Sequence, residues 1–279
     1  MDGSTGMAEG RPAASPQRTR GAATVSAELR DGHPRLGRLR QEGSLKVLLP
    51  TQAPGAALEA VLLNTSGGLT GGDRLRVAAQ AGPGARLVVS TQAAERVYRS
   101  SGGMAEVEAA LTVGLGGRLD WLPQETILYD GAALDRRLTL DVAPGARALL
   151  VEPVILGRRA MGERVRSATF RDRWDIRQDG RLVFADRLRI EGETWGKLES
   201  PGTLDGAGAW ASLLLLSPEA PSLLGRLRSL LPTTAGASVV REGVLFARIL
   251  AEDGFRLRQA LVPAAELLAG GPLPKVWRL

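Results

Sequence analysis

The segment RLTLDVAPGARALLVEP, residues 137–153, joins an alternating strand pattern, a glycine turn, an arginine and a second apolar run. Three other segments have the same order: RLRVAAQAGPGARLVVSTQ (74–92), EAALTVGLGGRLDWLPQ (108–124) and RWDIRQDGRLVFADR (173–187). Their marker arginines, Arg86, Arg118, Arg147 and Arg181, recur about every 30 residues, the length of one supersecondary unit. Short strands separated by APG, GPG and DG corners predict a mainly β fold of stacked short strands, a β-helix-like scaffold.

The pattern changes after Gly206, where we expect a smaller α+β portion. WASLLLLS reads as a buried strand, VVREGVLFARIL as a hairpin around Glu242-Gly243, and a helix is expected from about Phe255 to Leu268. A first helix is predicted with Ser217 as its cap and Pro218 as its first residue, and its apolar face is formed by Leu223, Leu224, Leu227, Leu230 and Leu231. The final PLPKVWRL reads as an extended tail whose Trp277 docks on this chain or on a partner. The predicted organisation is a disordered tail over 1–22, a β-rich scaffold over 23–205 and an α+β portion over 206–279.

Composition excludes several classes of function. The chain has no cysteine and a single histidine, His33, in the polar turn RDGHPR, so thiolate sites, histidine-based triads and His-rich zinc sites are excluded. The net charge of +6 comes from scattered arginines with only 4% aromatic residues, which favours solubility and docking to acidic partners over nucleic-acid binding. We expect a cytoplasmic protein without a signal peptide or a membrane span.

A glycine-rich stretch, LLNTSGGLTGGDRLRV (62–77), places Gly67, Gly68, Gly71 and Gly72 just before Asp73. A phosphate-binding loop needs Gly-Lys-Ser/Thr before a helix, whereas this stretch has Gly-Asp-Arg before a strand. Glycines also serve bends that need positive φ or close backbone approach. The stretch is therefore a structural bend, or a bend that also positions Asp73 for function.

Two acids follow the marker arginines at the same distance. The residues five positions after those arginines are Thr91, Pro123, Glu152 and Asp186, and both acids share strand parity with apolar residues. A buried carboxylate needs a partner or a cation. One interpretation is an internal salt bridge with Arg158, Arg159 or Arg187; another is a polar line through the interior that a cation can use. A third is an acid/base pair of a carbohydrate-active β-helix enzyme, for which the chain has few aromatic residues to line a groove.

Four segments, NTSGGLTGGDRL, STQAAERVYRSSGG, LDWLPQETILYDGA and LLVEPVILGRRAMGE, in this order and spacing, resemble the urease accessory protein UreD family, called UreH in some species. The resemblance extends from about Ala22 to the final PKVWRL. It implies a β-rich scaffold without catalytic chemistry of its own, which binds the urease apoprotein and, with UreF and the GTPase UreG, assists nickel insertion. It further implies no tightly bound cofactor but transient Ni²⁺, passed through an internal polar passage.

The resemblance also assigns candidate residues. Asp73 matches the acid that closes GGLTGGD, Glu152 the acid before VILGR, and Asp186 the acid before RLRI. Glu95 stands where some relatives have a small hydroxyl residue, and an acid there could also face the passage. These four are the expected nickel-passage residues; Gly67, Gly68, Gly71 and Gly72 would shape the loop. Residues Tyr98, Arg99 and Ser100 also match the family, and their simpler interpretation is packing at a strand corner. Carboxylates bind Ni²⁺ more weakly than imidazole or thiolate, as a transfer route requires.

Overall fold

The computed structural model describes residues 17–158, 162–192, 196 and 198–278. Within them the chain forms seventeen strands, two α-helices and one 3₁₀ helix. The elements in chain order are β1 (Arg20–Arg30), β2 (His33–Gly43), β3 (Leu45–Leu48), β4 (Leu58–Asn64), β5 (Arg74–Ala81), β6 (Arg86–Thr91), β7 (Glu95–Val97), β8 (Ala105–Val113), β9 (Arg118–Leu122), β10 (Thr126–Leu128), β11 (Ala133–Val142), β12 (Arg147–Leu156), β13 (Thr169–Gln178), β14 (Arg181–Ile190), β15 (Ala209–Leu216), α1 (Ala220–Leu230), β16 (Ala235–Arg241), β17 (Val244–Ala251), α2 (Gly254–Ala269) and the 3₁₀ helix Lys275–Arg278.

The strands form two facing sheets. Sheet A has the order β14-β13-β11-β8-β5-β1-β2, and sheet B has the order β16-β17-β15-β12-β9-β6-β4-β3. The strands β1, β5, β8, β11 and β13 are parallel to one another in sheet A, as are β4, β6, β9 and β12 in sheet B. The short strand β10 extends sheet B by pairing parallel to β12, and β7 pairs parallel to β10. This arrangement confirms the β-helix-like scaffold of stacked short strands.

The first three repeats cross from sheet A to sheet B at their glycine turns. Arg86 pairs in register with Arg118, and Arg118 with Arg147, so the first three marker arginines stack on neighbouring strands of sheet B. The inner faces of the two sheets enclose one apolar cluster that contains most of the buried leucine, valine and alanine side chains. The repeat predicted from the sequence is therefore the unit that builds the core.

The fourth repeat differs from the prediction. Asp179 and Gly180 have φ values of 51° and 72°, as in a two-residue hairpin turn, and β14 returns antiparallel beside β13 in sheet A. Asp186 consequently lies in sheet A, whereas Glu152 lies in sheet B, and the expected common register of the two acids is wrong. The DG pair marks a hairpin, not a corner. Asp31 and Gly32 make the same turn between β1 and β2, with φ values of 51° and 73°.

The portion after Gly206 adds a third layer. β15 is buried along its whole length and pairs with β12, so this portion continues sheet B. Helices α1 and α2 pack on the outer face of sheet B around a second apolar cluster. α1 begins at Ala220, with Glu219 as N-cap, two residues later than predicted, whereas the hairpin at Glu242-Gly243 and α2 lie where they were expected.

Both ends of the described chain are held by contacts. β1 begins at Arg20, so residues 20–22 of the expected tail belong to a strand; residues 1–16 of that segment lie outside the described residues. Trp277 is 3% exposed and its indole Nε1 donates to the Leu122 carbonyl over 3.0 Å. The tryptophan thus docks on this chain.

His33 is exposed at the start of β2. Neither α1 nor α2 is long and apolar enough to span a bilayer, nor is any other helix of the described segments.

Candidate functional site

A cavity of about 290 Å³ lies between the two sheets. Its walls are largely apolar, and its polar groups come from strands of both sheets and from β7. They include Asn64, Glu95, Thr126, Arg136 and Glu152. Two of the four predicted passage residues, Glu95 and Glu152, therefore line one cavity; Asp73 and Asp186 are absent from its lining.

Glu95 is an ionisable group of the cavity wall whose acidity is changed by burial. Burial raises the pKa of its carboxyl to about 7, and the charge of Asp73 adds to this effect. The Asn64 side chain opposes the shift, because its Nδ2 donates to both carboxylate oxygens at 3.1 Å. Near neutral pH this carboxyl exists in both protonated and ionised forms. It can bind a cation when ionised and release it when protonated.

Glu152 belongs to a buried network that connects the sheets. Its carboxylate accepts hydrogen bonds from Arg136 Nη1 and, over 2.7 Å, from Trp121 Nε1. Arg136 also forms a bidentate pair with Asp172, with distances of 3.0 and 2.7 Å, and donates to Thr126 Oγ1 over 3.2 Å. Burial raises the pKa of Glu152, although Arg136 opposes that shift. Burial disfavours the charge on Arg136, but its two carboxylates outweigh that effect and raise its pKa. With both carboxyl groups ionised, the triad of Asp172, Arg136 and Glu152 has a formal net charge of −1.

The salt-bridge interpretation holds with different partners from those expected. Arg136 pairs with Glu152, whereas Arg158 pairs with Glu163 and Arg187 pairs with Asp175. Arg159 lies outside the described residues. Arg136 was missed because it stands in the pair Arg136-Arg137, which reads as a solvated charge run. Strand parity could have identified it, since Arg136 lies on the same strand face as the buried Leu134 and Leu138.

Asp186 forms a second bridge between the sheets. Its carboxylate accepts from Arg248 Nη2 over 2.5 Å, and Arg248 also donates to Ser212 Oγ over 3.2 Å. Ser212 is the register partner of both Glu152 and Arg248 on neighbouring strands. Glu152, Ser212 and Arg248 therefore form a polar row across sheet B. By the order of the strands, the Arg136 triad stands between the cavity and the Asp186–Arg248 pair.

Asp73 holds the glycine-rich loop in place. Its two carboxylate oxygens accept backbone amides, from Thr19 over 2.7 Å and from Thr70 over 2.8 Å. These contacts join the loop to the residue just before β1 and give a complete structural reason for a buried aspartate at this position.

The glycines of the loop allow close approach to the next repeat. A Cβ on Gly68 would lie 2.4 Å from the Tyr98 ring, and one on Gly71 would lie 2.0 Å from Ser100 Oγ and 2.3 Å from the Gly102 carbonyl oxygen. Gly67 and Gly72 have φ values of 75° and 90°. All four glycines are therefore required for conformation or for space.

No group of three or more acidic or histidine side chains that could hold a metal ion occurs in the segments that the structure describes. The oxygen donors of the interior are instead distributed: Glu95 at the cavity, Glu152 and Asp172 at Arg136, and Asp186 at Arg248. Such isolated carboxylates are weak ligands for Ni²⁺ compared with imidazole or thiolate sites.

Comparison with known proteins gives a consistent result over nearly the whole chain. The family model described as UreD urease accessory protein matches residues 19–278. The urease accessory protein UreD of Rhizobium etli is 47% identical over 265 residues, covering 95% of this chain and 97% of the relative. The proteins of the same name from Ruegeria pomeroyi and Mesorhizobium japonicum are 49% identical over 245 residues and 48% identical over 267 residues. Those matches cover 88% and 94% of this chain, and 95% of each relative.

Proposed function

Because this chain belongs to the UreD family of urease accessory proteins, we propose that it binds the urease apoprotein and, with UreF and the GTPase UreG, assists insertion of nickel into the urease active site. In this role the chain is a scaffold and a transient nickel conduit, with no catalytic step and no tightly bound cofactor of its own. The proposal places it in the cytoplasm with its partners, and Ni²⁺ is its cargo.

The observation that supports the conduit is the cavity with Glu95 in its wall. A carboxyl with a pKa near 7 changes its protonation at little cost under cellular conditions, so an arriving cation can displace the proton and a returning proton can release the cation. Asn64 keeps the carboxylate oriented through both 3.1 Å hydrogen bonds. The result is a reversible oxygen ligand, suited to transfer rather than storage.

Arg136 is paired with the two carboxylates that lie next to the cavity, Glu152 and Asp172. Its guanidinium already neutralises part of the charge on Glu152 and Asp172, so neither carboxylate is available to a cation while the triad is closed. For Ni²⁺ to move along the polar row toward Asp186, the guanidinium must shift away from Glu152. The proposal therefore assigns Glu95 as the first ligand, Glu152 and Asp186 as later ones, and Asp73 as the residue that shapes the loop beside them.

The carbohydrate-active alternative is not favoured by the geometry. Glu152 is buried and bonded to Arg136 and Trp121, and Asp186 is paired with Arg248 across the interior. A glycosidase needs its two carboxyl groups on either side of a bond in an accessible groove. These two carboxylates face other protein side chains.

The test is the nickel content and activity of urease purified from cells that express the other accessory proteins, with and without this chain. We expect both to rise only when the chain is present. Fully active, nickel-loaded urease in its absence would overturn the proposed function.

A further inference from the structure

The two tyrosines of the chain lie together next to the glycine-rich loop, with Tyr98 at the surface and Tyr129 buried beside it. The rings of Tyr98 and Tyr129 stack with centroids 5.2 Å apart and planes inclined by 22°, and the Arg158 guanidinium lies 4.9 Å from the centroid of Tyr129. Arg96 lies beside the Tyr98 hydroxyl. We call these four residues the tyrosine–arginine patch. Tyr98 is 41% exposed, and Arg96 and Arg158 are exposed as well.

The stacked repeats build this patch. Parallel pairing of β7 with β10 places Val97 beside Leu128, and the tyrosines follow directly on the two strands. The Tyr98 hydroxyl donates to the Gly67 carbonyl over 3.3 Å, and Gly68 leaves room for the ring. Tyr98 is thus fixed in one orientation before any partner arrives, which lowers the entropic cost of binding.

The charge of this surface is basic. The exposed arginines around it are Arg96, Arg99, Arg158 and Arg166. The nearby carboxylates are already engaged: Asp130 accepts the amides of Arg166 and Ser167 and pairs with Arg99, and Glu163 pairs with Arg158. No carboxylate of the described residues forms an ion pair with Arg96. The patch therefore offers a guanidinium next to an exposed aromatic ring.

The patch adjoins the cavity. Gly67, Gln92, Ala93 and Arg96 are exposed residues of the cavity lining, and they mark an opening beside the patch. Both Glu95 and Arg96 line the cavity, but Glu95 is partly buried whereas Arg96 is exposed at the opening. A protein bound to the patch would cover this opening and stand next to Glu95.

We propose that the tyrosine–arginine patch docks an acidic segment of a partner protein over the mouth of the cavity. Tyrosine and arginine are the residues enriched at the energetic centres of protein interfaces, and arginine binds carboxylates through charge-assisted hydrogen bonds. The docking surface is inferred from the residues of the patch alone. Only the identification of its partner as a urease assembly component rests on the proposed function.

The experiment measures binding of the purified full chain to urease apoprotein, UreF and UreG separately, each at low and high salt. The variants are Arg96→Glu, Arg96→Gln and Tyr98→Ala, and the control is Arg137→Glu, an exposed arginine on the outer face of sheet A. We expect Arg96→Glu to weaken binding to one partner by about tenfold or more, Arg96→Gln to weaken it less, and the salt dependence to decrease in both. The control should bind as the wild type does.

Two further readouts separate the outcomes. A photo-crosslinking residue at position 98 should join an acidic segment of the weakened partner, and a crosslink to a segment without acids would overturn the proposal. Variants that bind all three proteins as the control does would overturn it as well. Binding of the same variants to a single-stranded DNA probe is also measured, and loss of binding to that probe alone would overturn the proposal. If docking is lost in the variants but nickel loading of urease never depended on the chain, the proposed function fails and the docking surface stands.

Discussion

At the scale of single residues, Glu95 and Arg136 show how burial acts on opposite charges. Burial of Glu95 outweighs its hydrogen bonds from the Asn64 side chain and the Arg96 backbone and raises the pKa of its carboxyl to about 7, whereas Arg136 has two carboxylates and stays charged. The same cavity wall therefore holds a group that can exchange a proton and a group that cannot. Both properties lead to measurable effects on stability.

Glu95→Gln should remove a pH dependence of unfolding. The folded pKa of about 7 lies above the ordinary value of 4.5, so between these values the folded state keeps a proton that the unfolded chain has released. The free energy of unfolding then falls as pH rises to 7, by about 3 kcal/mol in total. Urea denaturation at pH 5.5 and 8 should show a smaller loss in Glu95→Gln than in the wild type. Equal losses would contradict the burial of Glu95; the exposed control Glu42→Gln should match the wild type.

Arg136→Met should strongly destabilise the fold, because it leaves Glu152 and Asp172 buried without a cation. The expected cost is about 3–5 kcal/mol. Adding Glu152→Gln and Asp172→Asn to the same chain should recover part of that loss. The neighbour Arg137, on the outer face, gives the matched control Arg137→Met, which should change stability by about 0.5 kcal/mol or less. Similar unfolding midpoints for the two single variants would show that the triad is absent in solution.

At the scale of elements, the type of each turn explains which parts of the sequence interpretation were correct and which were wrong. The glycine corners of the first three repeats predicted the crossings between sheets, because a chain with alternating parity must turn where glycines permit it. The Asp179-Gly180 pair was assigned to the same class, although a two-residue Asp-Gly turn favours a hairpin. Because of that one wrong assignment, Asp186 was expected in the same register as Glu152, whereas it lies in the other sheet. Arg248 is 62 residues from Asp186, and Arg136 is only 16 residues from Glu152 but lies on the opposite sheet. Spacing therefore predicted the inward parity of the two acids but not their partners.

The glycine-rich loop should tolerate substitution unevenly. Gly71→Ala introduces a Cβ against the backbone of residues 102 and 103, so it requires the neighbouring loop to move. Gly67→Ala meets no atom within 4 Å and incurs only the strain of its positive φ, about 1 kcal/mol. Thermal unfolding should therefore rank Gly71→Ala well below Gly67→Ala. The reverse order would mean that the two loops do not pack as described.

The 3₁₀ helix Lys275–Arg278 fixes one wall of the cavity from outside. Gln124, which lines the cavity, donates to the Val276 carbonyl over 2.9 Å, and Trp277 packs beside it. Trp277→Ala should lower the free energy of unfolding by about 3–5 kcal/mol. Phe255→Ala removes an aromatic ring that is 67% exposed and should cost about 0.5 kcal/mol or less. Equal effects would contradict the docking of Trp277 on this chain.

At the scale of the whole molecule, the two sheets enclose a distributed set of buried and partly buried charges, and the helical layer covers the outer face of sheet B. Buried ion pairs contribute little net stability compared with apolar packing, so the pairs between the sheets are weak evidence for a purely stabilising role. The proposed function would give Glu95, Glu152 and Asp186 a second role, as oxygen ligands along a cation route. In that proposal nickel is the cargo, and Glu95 in the cavity wall is its first ligand.

The measurement that tests this account most directly is the number of nickel atoms loaded per urease active site, with Glu95→Gln in place of the wild-type chain. Binding of each variant to its partners is measured on the same samples, and Glu42→Gln serves as the control. We expect Glu95→Gln to bind the partners as the wild type does and to load nickel several-fold more slowly. Wild-type loading by Glu95→Gln, with partner binding intact, would contradict passage of nickel through this cavity.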